Sequence, residues 1–134
     1  MWKAGKLSLQ TKLRLFKSNV LTSLLYGAES WKMTGTIAKK LEVFQRKCLR
    51  RIVRVFWPNT ISNEDLYDMT ATRPITEEIK RRRWRWIGHV LRLPPTAIAR
   101  VSLRWTPDGR RGRGRPKETW RRTVEAEMKQ KGWT

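Results

Sequence analysis

Arg81, Arg82, Arg85, His89 and Arg92 follow one another in short steps of the size that gathers side chains on one side of an α-helix. Guanidinium groups in such a row can pair phosphate oxygens bidentately and stack on bases, so their natural chemistry is contact with a nucleic-acid backbone. A second set, Lys39, Arg46, Lys47, Arg50 and Arg54, with Lys40 and Arg51 beside it, fills the cationic arc of an upstream helical wheel. A third comprises Arg110, Arg111, Arg113, Arg115 and Lys117 in a glycine-rich stretch, followed by Arg121 and Arg122. The alternative for each set is a solvated surface. Clustering argues against it: residues 80–122 carry a net charge of +13, against +7 for residues 1–79 and zero for 123–134.

Smaller features carry weaker signals. Arg113-Gly114-Arg115-Pro116 matches the R-G-R-P core of an AT-hook, an extended segment whose arginines enter the narrow minor groove of A·T-rich DNA. Because the proline can also open a helix, an ordered connection that touches any backbone fits these four residues at least as well. Trp84, Trp86, Trp105 and Trp120 could each stack on an unpaired base; core packing is expected for Trp86 and Trp120, while Trp84 and Trp105 fit either role. His89 has no companions for metal ligation and no carboxylate placed to orient it as a base, so a helix-to-loop hydrogen bond, or else a phosphate or base contact, is expected. Cys48, among Phe44, Leu49 and Ile52, reads as a small buried hydrophobe.

Catalysis within this chain is not expected. Two-metal phosphoryl transfer needs clustered carboxylates, whereas Glu64, Asp65 and Asp68, like Glu77 and Glu78, fall where they complement a helix dipole. No phosphate-binding glycine loop and no nucleophile–base arrangement is present. The expectation is therefore no catalytic residue, no metal and no cofactor.

A chain of 134 residues suffices for one compact domain or two small helical subdomains. Lysine and arginine number 31 against 11 acidic residues, giving +20, a self-repulsion best offset by a polyanion. Eight tryptophans mark a folding chain rather than a basic tail. One cysteine excludes an intramolecular disulfide and a cysteine zinc site. No apolar run approaches the ~18–20 residues of a membrane span, and no signal-peptide core opens the chain. A nuclear or cytoplasmic ribonucleoprotein is expected, not a secreted or membrane-bound protein, and not one with a small-molecule substrate.

Every long interval has helical periodicity, so the fold class is all-α, a small bundle of about five to six helices. Leu9, Leu13, Phe16, Val20, Leu21, Leu24 and Leu25 predict a helix over about 9–26, capped by Ser8 and ended or bent at Tyr26-Gly27. Gly35-Thr36 opens a second over about 37–56, with Ile37, Leu41, Phe44, Cys48, Leu49, Ile52 and Val55 as its apolar arc. Trp57-Pro58-Asn59 breaks it, and Ser62 with Asp65 starts a short helix near 63–70. The next runs from about 75 to 93, with Ile79, Trp84, Trp86, Ile87, Val90, Leu91 and Leu93 inward; Lys80 and Arg83 do not fit that arc and are expected to snorkel. A short helix within 97–105, a turn at Thr106-Pro107-Asp108-Gly109, a basic loop over 109–117 and a last helix over about 117–131 complete the reading. Two regions are expected, a helical pair over 1–58 and a basic helical region over 59–134.

Specific strings add to this. Phe16-Lys17-Ser18-Asn19-Val20, running on to Leu25-Tyr26-Gly27-Ala28-Glu29-Ser30-Trp31, resembles the thumb segment of non-LTR (LINE-type) retrotransposon reverse transcriptases. Ile61-Ser62-Asn63, the run Arg81-Arg82-Arg83-Trp84-Arg85-Trp86-Ile87-Gly88-His89-Val90-Leu91-Arg92, and Gly112-Arg113-Gly114-Arg115-Pro116-Lys117 with Thr119-Trp120 are similar to the region that follows that thumb. The match covers about residues 7–130. The resemblance implies a fragment of an RNA-directed DNA polymerase that grips RNA template or primed target DNA. Its partner would be a fingers–palm domain carrying the metal-binding aspartates. No Tyr or Phe followed by Ala-Asp-Asp occurs here, and the family's endonuclease domain and cysteine/histidine knuckle have no counterpart in these residues, so no activity of its own is expected. The competing expectations are a stand-alone minor-groove binder using Arg113 to Pro116, and a non-functional relic.

Overall fold

The computed structural model describes residues 5, 7–105, 108, 114 and 119–132. Among these, every regular element is helical, and the all-α expectation holds. Ser8 caps α1 (Leu9–Leu15) by accepting from the Thr11 N–H at 3.2 Å. The rod then widens into a π-helical segment, Phe16–Leu21, and returns to α geometry in α2 (Thr22–Leu24). It stops two residues short of the expected 26, because Leu25 leaves the helical region and Gly27 takes φ +70°, a left-handed conformation open to glycine. A 3₁₀ turn, Ala28–Ser30, leads to α3 (Gly35–Val53), capped by Thr34. α4 (Asn63–Thr70), α5 (Ile75–Arg92), α6 (Ile98–Arg104) and α7 (Trp120–Gln130) follow.

The sequence locates most of these boundaries closely. Ser62 Oγ accepts from the Asp65 N–H at 3.1 Å and bonds the Asp65 carboxylate at 2.7 Å, which starts α4 where expected. α7 begins later than 117, since Thr119 is in extended backbone and caps it. The turn at Thr106-Pro107-Asp108-Gly109 and the loop over 109–117 lie, apart from Asp108 and Gly114, outside the described residues.

Two apolar clusters hold the rods together. Leu13, Phe16, Leu49, Ile52 and Leu66 join α1, the π segment, α3 and α4. Leu25, Ala28, Ile75 and Ile79 join the turn after α2 to α5, with Trp31, Met33 and Leu41 against them. Each cluster takes residues from both sides of residue 58, and Leu21 packs on both. Each fully buried aliphatic side chain contributes about 1.5–3 kcal/mol relative to exposure, so these clusters carry the main apolar stabilisation.

Both long wheels turn out rotated from expectation, and a polar side chain sits in each buried stripe. In α3 the enclosed residues are Gln45, Leu49 and Ile52, while Phe44 and Ile37 are exposed. Gln45 earns its place by hydrogen bonding: its Nε2 donates to the Arg73 carbonyl at 2.8 Å and its Oε1 accepts from the Ile75 N–H at 2.8 Å. It thereby satisfies a free donor at the start of α5, whose cap position is Pro74. In α5 the stripe is Ile75, Ile79, Arg83, Ile87 and Val90, so Trp84, Trp86 and Leu91 are displaced from the centre of the core face. Arg83 does not snorkel. Its side chain is fully enclosed, donating to Glu127 Oε1 of α7 at 2.9 Å and to the Trp31 carbonyl at 3.3 Å.

Candidate nucleic-acid interface

The buried stripe of α5 fixes which cations face outward. Arg81, Arg85, His89 and Arg92 are all exposed, in a row about two residues out of phase with the stripe and thus on the far side of the helix. Steps of three or four residues place successive members about 4.5–6 Å apart along the axis. That is comparable to the axial rise of every second phosphate on one DNA strand, about 7 Å. On α3, Lys39, Lys47 and Arg54 are exposed in a similar row, with Arg54 at the left-handed C-cap, φ +63°. Arg121 and Arg122 are exposed on α7.

Other expected contacts are engaged within the fold. Arg46 pairs with Glu42 one turn back at 3.2 Å. Arg50 donates to the Ile61 carbonyl at 3.3 Å and to Asn63 Oδ1 at 2.8 Å, tying α3 to the start of α4. Arg82 pairs with Glu78 at 3.2 Å and reaches the Leu25 carbonyl at 3.3 Å. Arg121 Nη2 donates to the Leu103 carbonyl at 3.0 Å. Half-exposed i,i+4 pairs of the Arg46–Glu42 kind are worth a few tenths of a kcal/mol, so a phosphate could displace the carboxylate; the bonds of Arg50 are structural links. Arg110, Arg111, Arg113, Arg115 and Lys117 lie outside the described residues.

The His89 side chain makes no hydrogen bond to another described residue, and most of the loop over 109–117 lies outside them. It is exposed among the described residues, in the α5 row. Cys48 is half-buried against the first cluster; burial pushes its thiol pKa up, opposed in part by the nearby charges of Arg51 and Lys47. Among the described residues no group of three His, Cys, Asp or Glu could hold a metal ion, and no helix is long and apolar enough to cross a membrane.

The structure also brings together residues that the sequence keeps far apart. Trp86 of α5, Trp105 after α6 and Trp120 of α7 line one cleft of about 750 Å³. The Trp86 and Trp120 rings meet edge to face, centroids 6.0 Å apart and planes at 84°. Trp120 Nε1 donates to the Glu29 carbonyl at 2.8 Å, which anchors α7 to the 3₁₀ turn. Trp86 was expected in the core, yet it is 39% exposed, because the α5 stripe runs through Arg83 and Ile87 on either side of it. No periodicity signals this grouping; the three residues lie on three elements and meet only by tertiary packing.

Comparison with known proteins gives one match to report. The chain is 25% identical over 122 residues to transposon-derived protein F52C9.6 of Caenorhabditis elegans, an alignment covering 87% of this chain. The chain spans 44% of that protein's length. No family model and no solved structure matches. The sequence is thus similar to that of a transposon-derived protein.

Proposed function

We propose that this chain is a nucleic-acid-gripping part of a retrotransposon protein, equivalent to the thumb and post-thumb region of a LINE-type reverse transcriptase. It holds RNA template or primed target DNA, in a nuclear or cytoplasmic ribonucleoprotein, for a fingers–palm domain that supplies the chemistry. The observation that carries this reading is the exposed cationic row Arg81, Arg85, His89 and Arg92, set on a helix whose other face is packed. A rigid row of this kind tracks a phosphate backbone with little base preference. The similarity to a transposon-derived protein supports the retrotransposon origin, and the resemblance of the α5 string supports the thumb region.

The test is fluorescence anisotropy against an RNA/DNA template–primer hybrid, an A·T-rich duplex and a G·C-rich duplex of equal length, titrated over salt. Tight hybrid binding with the two duplexes equivalent is the expected result. Arg81→Ala, Arg85→Ala and Arg92→Ala together should lower the duplex salt slope by about 2.7, at about 0.9 per phosphate contact, with helicity intact. Unchanged affinity in that variant would refute the assignment of this face. An A·T preference lost in Arg113→Ala/Arg115→Ala would instead identify a minor-groove binder, and low helicity with non-cooperative melting would identify a relic.

A further inference from the structure

The cleft between α5, α6 and α7 has a composition unlike the cationic faces around it. Three tryptophans contribute to its walls, and Glu29 and Glu125 line it together with Arg121 and Arg122, so its charged lining balances in a protein with only 11 acidic residues. Neither carboxylate is in an ion pair among the described residues. An edge-to-face pair uses one ring face of the four that Trp86 and Trp120 possess, and Trp105 is 63% exposed beside them. Arg121, held by the Leu103 and Trp105 carbonyls, adds a fixed guanidinium to the lining.

Aromatic faces, hydrogen-bond acceptors and one positioned cation suit a flat heterocycle with N–H donors on its edge. With two acidic and two basic residues, the lining carries no net positive charge to draw a phosphate inside the cleft, whereas the surrounding positive charge favours phosphates just outside it. We infer that this cleft takes one unpaired nucleobase of a single-stranded nucleic acid, stacked on the tryptophans, while the flanking phosphates run onto the cationic surface. The inference deepens the backbone-gripping function and rests on it only for the phosphates; the cleft supplies a contact that backbone tracking does not.

Two short oligomers of equal charge separate the contributions: an all-abasic deoxyribose-phosphate strand, and the same strand with one central guanine. The base-bearing strand should bind about tenfold tighter to the wild type, the order of one base–aromatic stack, and should quench tryptophan fluorescence. Trp105→Ala should abolish that difference, and Trp57→Ala, at an 89% exposed tryptophan outside the cleft, should preserve it. If Trp105→Ala loses helicity, Trp105→Leu replaces it. The triple arginine variant should weaken both strands alike and leave the difference intact. Equal affinity of the two strands for the wild type would overturn the inference while leaving the backbone grip standing. If neither strand binds, the proposed function falls, and guanosine, which has no phosphate, reads the cleft directly: saturable quenching lost in Trp105→Ala upholds it, and no quenching refutes it.

Discussion

Glu127→Met should be among the most damaging substitutions in the chain, although Glu127 belongs to a helix with only one enclosed apolar residue, Val124. The Arg83 side chain is 0% exposed and its ion pair with Glu127 spans 2.9 Å between α5 and α7. Removing the carboxylate strands a guanidinium in the interior, with the Trp31 carbonyl as its remaining partner and Nε already without one. Breaking a buried pair from one side costs about 3–5 kcal/mol, a large fraction of the ~5–15 kcal/mol that holds a domain folded. Arg83→Met should cost less, about 1–3 kcal/mol, because the Glu127 side chain is 12% exposed and can turn to water. In the double variant no charge is left behind and two flexible apolar chains fill the space, so its stability should lie within about 1–2 kcal/mol of wild type. Urea unfolding followed by far-ultraviolet circular dichroism measures all four corners of this cycle. Repeating it in high salt should change the pair energy little, since the ions are shielded from solvent. A Glu127→Met protein within 1 kcal/mol of wild type, or a double variant as unstable as the two singles summed, would refute the argument.

Three other outcomes follow from the packing. Gln45→Leu should cost about 1–3 kcal/mol in the same unfolding assay, because it leaves the buried Ile75 N–H without an acceptor, whereas Phe44→Ala on the neighbouring exposed face should cost much less. Trp86→Ala should cost less than the ~3–5 kcal/mol typical of an enclosed tryptophan, since two fifths of the side chain already meets solvent. Alkylation of Cys48 by iodoacetamide near neutral pH should be slower than that of a free thiol and should accelerate as pH rises through the raised pKa; a rate equal to that of a free cysteine would contradict its burial.

What could be read in advance depended on whether a residue's role was local. Ser8 and Ser62 mark helix starts because a short hydroxyl side chain satisfies an N–H three residues on, a relation contained in the sequence itself. Gly27 marks a stop for a similarly local reason. Gln45 and Arg83 defeated the apolar wheels because each is buried by bonds to residues far along the chain: Arg73 and Ile75 for one, Trp31 and Glu127 for the other. Sorting side chains by hydropathy places both outside and rotates the inferred core face with them, which brings Trp86 inward. The α5 cationic row was legible because it needs only one helix. The tryptophan cleft was not, since it needs α5, α6 and α7 at once.

The π segment gives the first rod one residue that it can lose. Across Phe16–Leu21 the helix holds one more residue than α geometry would need for the same turn, with Thr22 Oγ1 donating to the Lys17 carbonyl at 3.1 Å inside the loosened ladder. Deleting one residue there would tighten the segment to ordinary α-helix and leave everything beyond it facing as before relative to α1. Leu13 and Phe16 would stay against Leu49 and Leu66, and Leu25 and Ala28 against Ile75 and Ile79, whereas a deletion within α3, which has no spare residue, would turn one end of that helix by about 100° against the other. Lys17, Ser18 and Asn19 are exposed and should accept many substitutions, and the stretch between Phe16 and Leu21 should also tolerate the loss of one residue. In relatives that keep both clusters, point replacements and single-residue gaps should both be found over this stretch.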